Sequence, residues 1–429
     1  MRNILLLAVL LVLLVAVPPF LGLGWQNALV NVLIASLFAL AFNLLMGQAG
    51  RLSFGHAAYF GVGAFAALHL MRAIEGGFAF PTPLVPLAGA FVGLLVGLIA
   101  GYFATMRSGV YFALVTLAIA ELFHSLAPQL QGLFGGESGV SSMRMPWSGI
   151  VFGSMIEVYY LTLGWVLVCG LGLWAYTRTP FGRLTLALRD NEQRVRFLGY
   201  SAHTAKVIIF SISAMLAAVA GSLQAISNET ANYSLFASSV SAQVVLQTFV
   251  GGSTVFFGPV VGAAAFTLFS FLVSDVTRSW VFYQGLIFVL VMLYVPTGIG
   301  GVLQHHIRNR QRLDWGRLSG LYPLALAGGA MITAGVVYLT ETVSILFGED
   351  YSRMRANAGG GLPEYDLFGA QWDPTHALTW LLPAVLLVGG IALLVRTRRQ
   401  IGALWDNRDR SIETTTGAVP AGGMRGPPL

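Results

Sequence analysis

Long apolar runs, each near the ~20 residues that an α-helix needs to cross hydrocarbon, recur along this chain between short polar joints. The pattern predicts helices over residues 4–22, 26–46, 55–73, 83–104, 109–127, 158–177, 206–227, 257–274, 280–296, 320–340 and 378–395. In a bilayer the backbone amides have to be satisfied within their own helix, so the expected class is an all-α polytopic membrane protein. The first run, ILLLAVLLVLLVAV after Arg2, resembles a secretory signal. No small-x-small site precedes Pro18 and Pro19, and apolar character resumes at Leu21, so it is expected to be an uncleaved first span.

Polar joints set the orientation. Residues 178–206, RTPFGRLTLALRDNEQRVRFLGYSAHTAK, carry Arg178, Arg183, Arg189, Arg194, Arg196 and Lys206, the last being the only lysine. Further basic positions cluster at Arg308, Arg310, Arg312 and Arg317, and again at Arg396, Arg398 and Arg399. The positive-inside bias places all of these, and both termini, in the cytoplasm. Only three long runs separate Lys206 from Arg308, which would put Arg308 outside. Parity is restored if Ser241–Gly252 is a short or broken crossing that ends in a cytoplasmic turn at GGSTVFFGP, which is tolerated at membrane depth where protein or a water-filled cavity surrounds it. Ten crossings then precede Pro296 and two more follow. Between those two, residues 341–377 hold six acidic residues against Arg353 and Arg355, as expected for the far side. Residues 401–429 lack apolar periodicity and are expected to form a cytoplasmic, disordered tail.

Composition narrows the function. The chain of 429 residues is 56% hydrophobic and 10% charged, with a net charge of +6. That charge sits in short joints flanking apolar runs, which speaks for membrane topology and against nucleic-acid binding. A phosphate-cradling GxxxxGK loop is excluded because Lys206 follows SAHTA. No GxSxG elbow occurs, and His305 with His306 beside Arg308 reads as a solvated basic pair, so neither catalytic nor metal-binding residues are expected. Cys169 alone cannot form a disulfide within the chain.

Some polar residues invite explanation inside apolar runs, where a charge costs about 2.5–3.5 kcal/mol on insertion scales. Glu121 and His124, three apart, share a helix face; they either pair near the outer helix end or line a translocation path. The passage GQAGRLSFGHAAYFGVG from Gly47 to Gly63 has five glycines, with Arg51 and His56 among small residues, suited to close helix approach or to an unwound backbone facing a pathway. A similar passage, GGSTVFFGPVVGAAAF, starts at Gly251 and hints at a repeat. In the basic joint, Leu184, Leu186, Leu188, Val195 and Leu198 alternate with arginines, and Gly199 ends the pattern as a helix stop would. Asp190 and Glu192 interrupt the positive charge there, which favours insertion into a partner protein over contact with lipid headgroups.

Three segments in this order, GQAGRLSFGHAAYFGVGAF, LALRDNEQRVRFLGY and FVGGSTVFFGPVVGA, closely resemble the membrane permeases of branched-chain amino-acid ABC importers, over roughly residues 25–305. GGESGVSS from Gly135 resembles that family's glycine-rich external loop. The resemblance implies a ten-helix permease core with discontinuous helices in residues 1–305, extended by two transmembrane helices in 306–400. It implies a bacterial inner-membrane location and four kinds of neighbour: a second homologous permease, two cytoplasmic ATPase subunits, a periplasmic solute-binding protein and the bilayer. ATP and magnesium would be bound by the ATPases, with no cofactor in this chain. By the same likeness, Arg189, Asp190, Asn191, Glu192 and Gly199 would couple to the ATPase. Gly47, Gln48, Gly55, His56, Gly251, Gly252, Gly258 and Pro259 would shape the path, with Glu121 as a further candidate. The expected function is uptake of branched-chain amino acids by alternating access; an importer for urea or short amides shares every motif, and an ion-coupled carrier would need a charged residue at mid-membrane, for which Glu121 is the candidate. Two departures stand out: the C-terminal extension, and Arg51 where an uncharged approach to the Gly55–His56 pair is expected.

Overall fold

In the computed structural model the described residues are 9, 11–295, 297–309, 315–357 and 361–416, without the side chains of 308, 309, 315, 317 and 401–416. Arg2, most of the expected first span before residue 11, Arg310, Arg312 and the tail beyond residue 416 lie outside them. The chain divides into two compact units, Met1–Ile307 and Arg308–Leu429.

The first unit is a helical bundle built from α1 (Leu11–Phe20), α2 (Leu23–Asn43), α3 (His56–Glu75), α4 (Pro86–Ala104), α5 (Val110–Leu126), the short α6 (Gln131–Phe134), α7 (Met155–Arg178), α8 (Pro180–Asp190), α9 (Glu192–Phe197), α10 (Ala202–Asn228), α11 (Ser238–Gly251), α12 (Gly258–Val273), α13 (Trp280–Tyr294) and α14 (Gly298–Asn309). Helices α2, α3 and α10 form the centre, where Ile34, Leu37, Phe42, Tyr59, Phe210 and Leu223 are buried. Lipid offers no hydrophobic drive for helix association, so close backbone packing has to supply it. Helix α4 does so with glycine at every fourth position, Gly89, Gly93, Gly97 and Gly101, where any side chain would run into Ser222, Ala218, Ala214 or Phe210 of α10.

Seven of the described helices are long and apolar enough to cross a membrane, or eight if α13 and α14 count as one bent span. The remaining expected spans appear as shorter apolar helices. Helix α11 is the most instructive. Its 14 residues extend about 21 Å, short of the ~30 Å of hydrocarbon. Residues 229–237 before it are not α-helical: Thr230–Ala231 (β2) pair with Val140–Ser141 (β1), and Phe236 then reaches in to pack on Phe65, Phe123 and Phe134. The helix therefore starts beside the first turns of α3, where a side chain on Gly61 would meet Phe236 and Ser241 Oγ accepts a bond from Ala57 N at 2.9 Å. It ends at Gly252, whose φ of 102° turns the chain into α12. This turn lies beside the 47–55 loop, since a side chain on Gly47 would meet the Ser253 carbonyl.

The second unit is a hairpin of α15 (Trp315–Leu346) and α17 (Ala377–Thr416), joined through α16 (Glu349–Asn357) and a β-hairpin, Tyr365–Leu367 (β3) with Ala370–Trp372 (β4). Gly328 and Gly390 allow the two long helices to touch. The acidic connection is folded: Tyr351 and Tyr365 are buried, with bonds to the Pro363 carbonyl (2.9 Å) and Thr342 Oγ1 (3.2 Å). Helix α17 carries on past the expected end of its span, so residues 401–416 are helical where a disordered tail was expected.

Candidate functional site

The basic joint folds as two short helices, each with its own cap. Thr179 Oγ1 accepts from Gly182 N at 3.0 Å to start α8, which opens on Pro180, and Asn191 Oδ1 accepts from Arg194 N at 3.0 Å to start α9. Asn191 thus has a local structural duty. Gly199 stops α9 with φ 85°, and its amide bonds the Arg196 carbonyl at 3.0 Å; an L-residue is strained there, although no atom would obstruct a side chain. Leu188 and Val195 turn inward onto Ala202 and Ala205, leaving Phe197, Leu198 and Tyr200 in the open. Asp190 is exposed as well.

Two contacts clasp this joint to the 47–55 loop. Arg189 runs across Gly50 and donates to the Gly47 carbonyl at 2.5 Å; a Cβ on Gly50 would crowd the Arg189 stem, and φ 64° favours glycine there as well. Arg51 Nη2 donates to Glu192 Oε2 at 2.9 Å, while the other oxygen, Oε1, receives Lys206 Nζ and Arg196 Nη2, each at 2.6 Å. Glu192 therefore gathers three cations and joins the loop after α2 to the start of α10. Burial alone would raise its carboxyl, but bonds from Lys206 and Arg196 and the charges of Lys206 and Arg51 outweigh that and hold it below the ordinary carboxylate range. Arg51, the departure in the sequence, is one half of this clasp.

Among the remaining candidates, His56 and the glycines lie where helices meet, while Gln48 and Glu121 do not. His56, first residue of α3, is buried between Ser53 Oγ (3.0 Å from Nδ1) and Ser213 Oγ (2.8 Å from Nε2). Ser213 spends its hydrogen on the Ala41 carbonyl at 2.6 Å, so it accepts from Nε2–H, and Nδ1 accepts from Ser53: the neutral imidazole ties α2, α3 and α10 together. Gly55 lets α3 approach the Thr116 carbonyl of α5. Gly251, Gly252 and Gly258 form a node in which the end of α11, the start of α12 and residues 297–298 touch backbone to backbone, with Pro259 in the first turn of α12. Gln48 Oε1 is buried in the wide turn Leu44–Gln48 with no bond among the described residues. Glu121 is half exposed, 4.0 Å from His124, away from all of these.

A cleft of about 450 Å³, unforeseen in the sequence, opens between α2, α10, α11 and α12. Asn31, Gln224, Gln243, Gln247 and Ser270 contribute polar atoms to it, and none of its lining residues is ionisable. None of the path residues expected from the sequence lines it. Its glutamines and asparagine carry no motif spacing, being scattered over three helices, so only the fold could assemble them.

Residues 25–296 match the family described as branched-chain amino acid transport system, permease component. Among curated proteins the chain is 28% identical over 323 residues to the high-affinity branched-chain amino acid transport system permease protein LivM of Escherichia coli, covering 70% of this chain and 75% of that protein. It is 29% identical over 224 residues to the autoinducer 2 import system permease protein LsrC of Yersinia pestis, covering 48% of this chain and 61% of that one. No solved structure matches. Permeases of this kind work with ATPase and solute-binding partners and are transport components, not enzymes. With its apolar helices and a match over most of its first unit, the chain belongs to the branched-chain amino acid transport system permease family and is a multi-pass inner-membrane subunit of an ABC importer.

Proposed function

We propose that this permease imports branched-chain, hydrophobic amino acids by alternating access. It would pair with a second homologous permease and two cytoplasmic ATPases that bind ATP and magnesium, and receive its solute from a periplasmic binding protein. Both termini and residues 178–206 would face the cytoplasm. The observation that carries the reading is the clasped joint α8–α9: a pair of helices, fastened to the bundle through Arg189 and Glu192, holds Phe197 out at 90% exposure. Fastening on one face and apolar exposure on the other suit a lever gripped by a partner and pulling on the ends of α2 and α10. The likeness to LivM supports the solute class, and the likeness to LsrC keeps other small solutes in view.

The test is reconstitution with the cognate ATPases and binding protein in vesicles. ATP-dependent leucine accumulation that vanishes when the ATPases are left out supports the proposal. Leucine uptake driven by an ion gradient through the permease alone would overturn it, and ATP-dependent uptake of urea without leucine would reassign the solute.

A further inference from the structure

The geometry points to a solute subsite inside the permease itself, in the cleft beside α11, for a small molecule without net charge that carries hydrogen-bonding groups next to an apolar part. This rests on the import function proposed above and adds a place where the solute is held within the membrane domain.

A first argument is the state of Gln247. It is 2% exposed, its side chain lines the cleft, and no group among the described residues hydrogen-bonds its amide. An amide that the protein leaves unbonded and that opens only onto the cleft has to find its partner there, in water or in a solute, and an apolar residue would serve better if packing were the only demand. The fold satisfies such amides elsewhere: Gln284, equally buried nearby, donates to the Phe266 carbonyl at 3.2 Å and to Ser270 Oγ at 2.6 Å. Gln224 lines the same cleft from α10.

The second argument is the break in the backbone. Helix α11 begins beside the first turns of α3 with Ala237 as its cap residue and no side-chain cap, and Val240 in its first turn lines the cleft. Irregular backbone at membrane depth is stable where it borders a cavity, and this break in the helix borders the cleft through Leu235 and Val240.

The walls decide the ligand class. Phe38, Phe60 and Phe271 face the cleft, and with no ionisable side chain a solute of net charge would lose its water without gaining a counter-ion. A zwitterion or a neutral amide, whose groups can be met by amides, fits. The volume of about 450 Å³ lies within the range of ordinary small-molecule sites.

The test uses the complete reconstituted importer in a Cys169→Ser background, with Gln243→Cys, an exposed position on the cleft, as reporter. A hydrophilic thiol reagent is applied with L-leucine, urea or L-glutamate. Leucine is expected to slow labelling severalfold and glutamate to leave it unchanged. Gln247→Leu, which removes an unpartnered amide and so keeps the fold, is expected to lower leucine uptake about tenfold, the worth of one good hydrogen bond, while ATP hydrolysis stimulated by the loaded binding protein persists. The subsite is overturned if neither leucine nor urea changes labelling, if the reagent never reaches Gln243→Cys, or if Gln247→Leu transports as wild type. If the importer fails to accumulate leucine while urea still protects Gln243→Cys, the branched-chain reading falls and the subsite stands.

Discussion

Arg51 and Glu192 lie 141 positions apart and meet at 2.9 Å, so the loop after α2 and the joint α8–α9 are fastened by a charge pair that is largely withdrawn from solvent. The same carboxylate holds Lys206, whose side chain is 6% exposed. Glu192 is thus turned toward its own bundle, and one carboxylate ties α9 to the loop after α2 and to the start of α10.

Removing the carboxylate strands Lys206. Glu192→Ala is expected to destabilise the purified subunit by roughly 3 kcal/mol, the lower end for a broken buried pair, because Glu192 keeps 23% of its side chain exposed. Replacing both partners, Glu192→Leu with Lys206→Met, is expected to recover most of that loss, since two apolar groups need no mutual compensation. Thermal unfolding of the four members of this cycle in detergent measures the coupling. Additive losses would show that the two side chains do not depend on each other.

The clasp also fixes a pH response. The Glu192 carboxyl is held below its ordinary value of 4.5 in the folded chain, so its contribution is fully present above that pH and disappears as the pH falls through the lower, folded value. The unfolding temperature of the wild type is expected to fall below about pH 4.5 more steeply than that of Glu192→Gln, which has no proton to take up at this position. Parallel curves for the two proteins would remove Glu192 from the account.

Spans and the polar joint were legible in the sequence because a bilayer leaves the backbone few alternatives and arginines between apolar runs have to lie near water. What α8–α9 grips was not. Asp190 and Glu192 look alike in sequence, as acidic interruptions of a basic stretch, yet one is exposed and the other is held by Arg51 and Lys206, and only the fold brings 51 to 192. Arg51 for the same reason looked like an anomaly. The glycines around 47–63 and 251–258 were recognisable as positions of close approach, but sequence cannot distinguish a backbone that faces a pathway from one that faces another helix. Phe197 and Tyr200 were passed over, since an aromatic in an amphipathic pattern reads as buried until Leu188 and Val195 are seen to fill that place.

Phe197 separates partner binding from folding. At 90% exposure its truncation removes almost no internal packing, so Phe197→Ala is expected to leave the unfolding temperature of the isolated subunit unchanged. If the ATPase buries this ring, the same change weakens their association by about 2 kcal/mol, roughly thirtyfold, as for an aromatic anchor at an interface centre. Titration of detergent-solubilised permease with its ATPase reads the effect. Unchanged affinity would move the docking surface elsewhere on the joint.

Two glycine-to-alanine changes tell a backbone contact from mere helix composition. Gly251 ends α11 where a Cβ would overlap the Gly258 carbonyl and the Gly262 amide, atoms that cannot swing aside as a side chain can. Gly251→Ala has to push α11 and α12 apart and is expected to cost about 1–3 kcal/mol, as overpacking does. Gly164 lies inside α7 with open space around it, so Gly164→Ala meets nothing and gains about 0.5–1 kcal/mol from the lower conformational freedom of alanine in the unfolded chain. Both substitutions add one methyl group to a helix, and any effect of hydrophobicity or detergent binding is common to them. Opposite shifts of unfolding temperature would therefore report the contact alone, whereas shifts of the same sign and size would mean that the α11–α12 node is looser than its geometry shows.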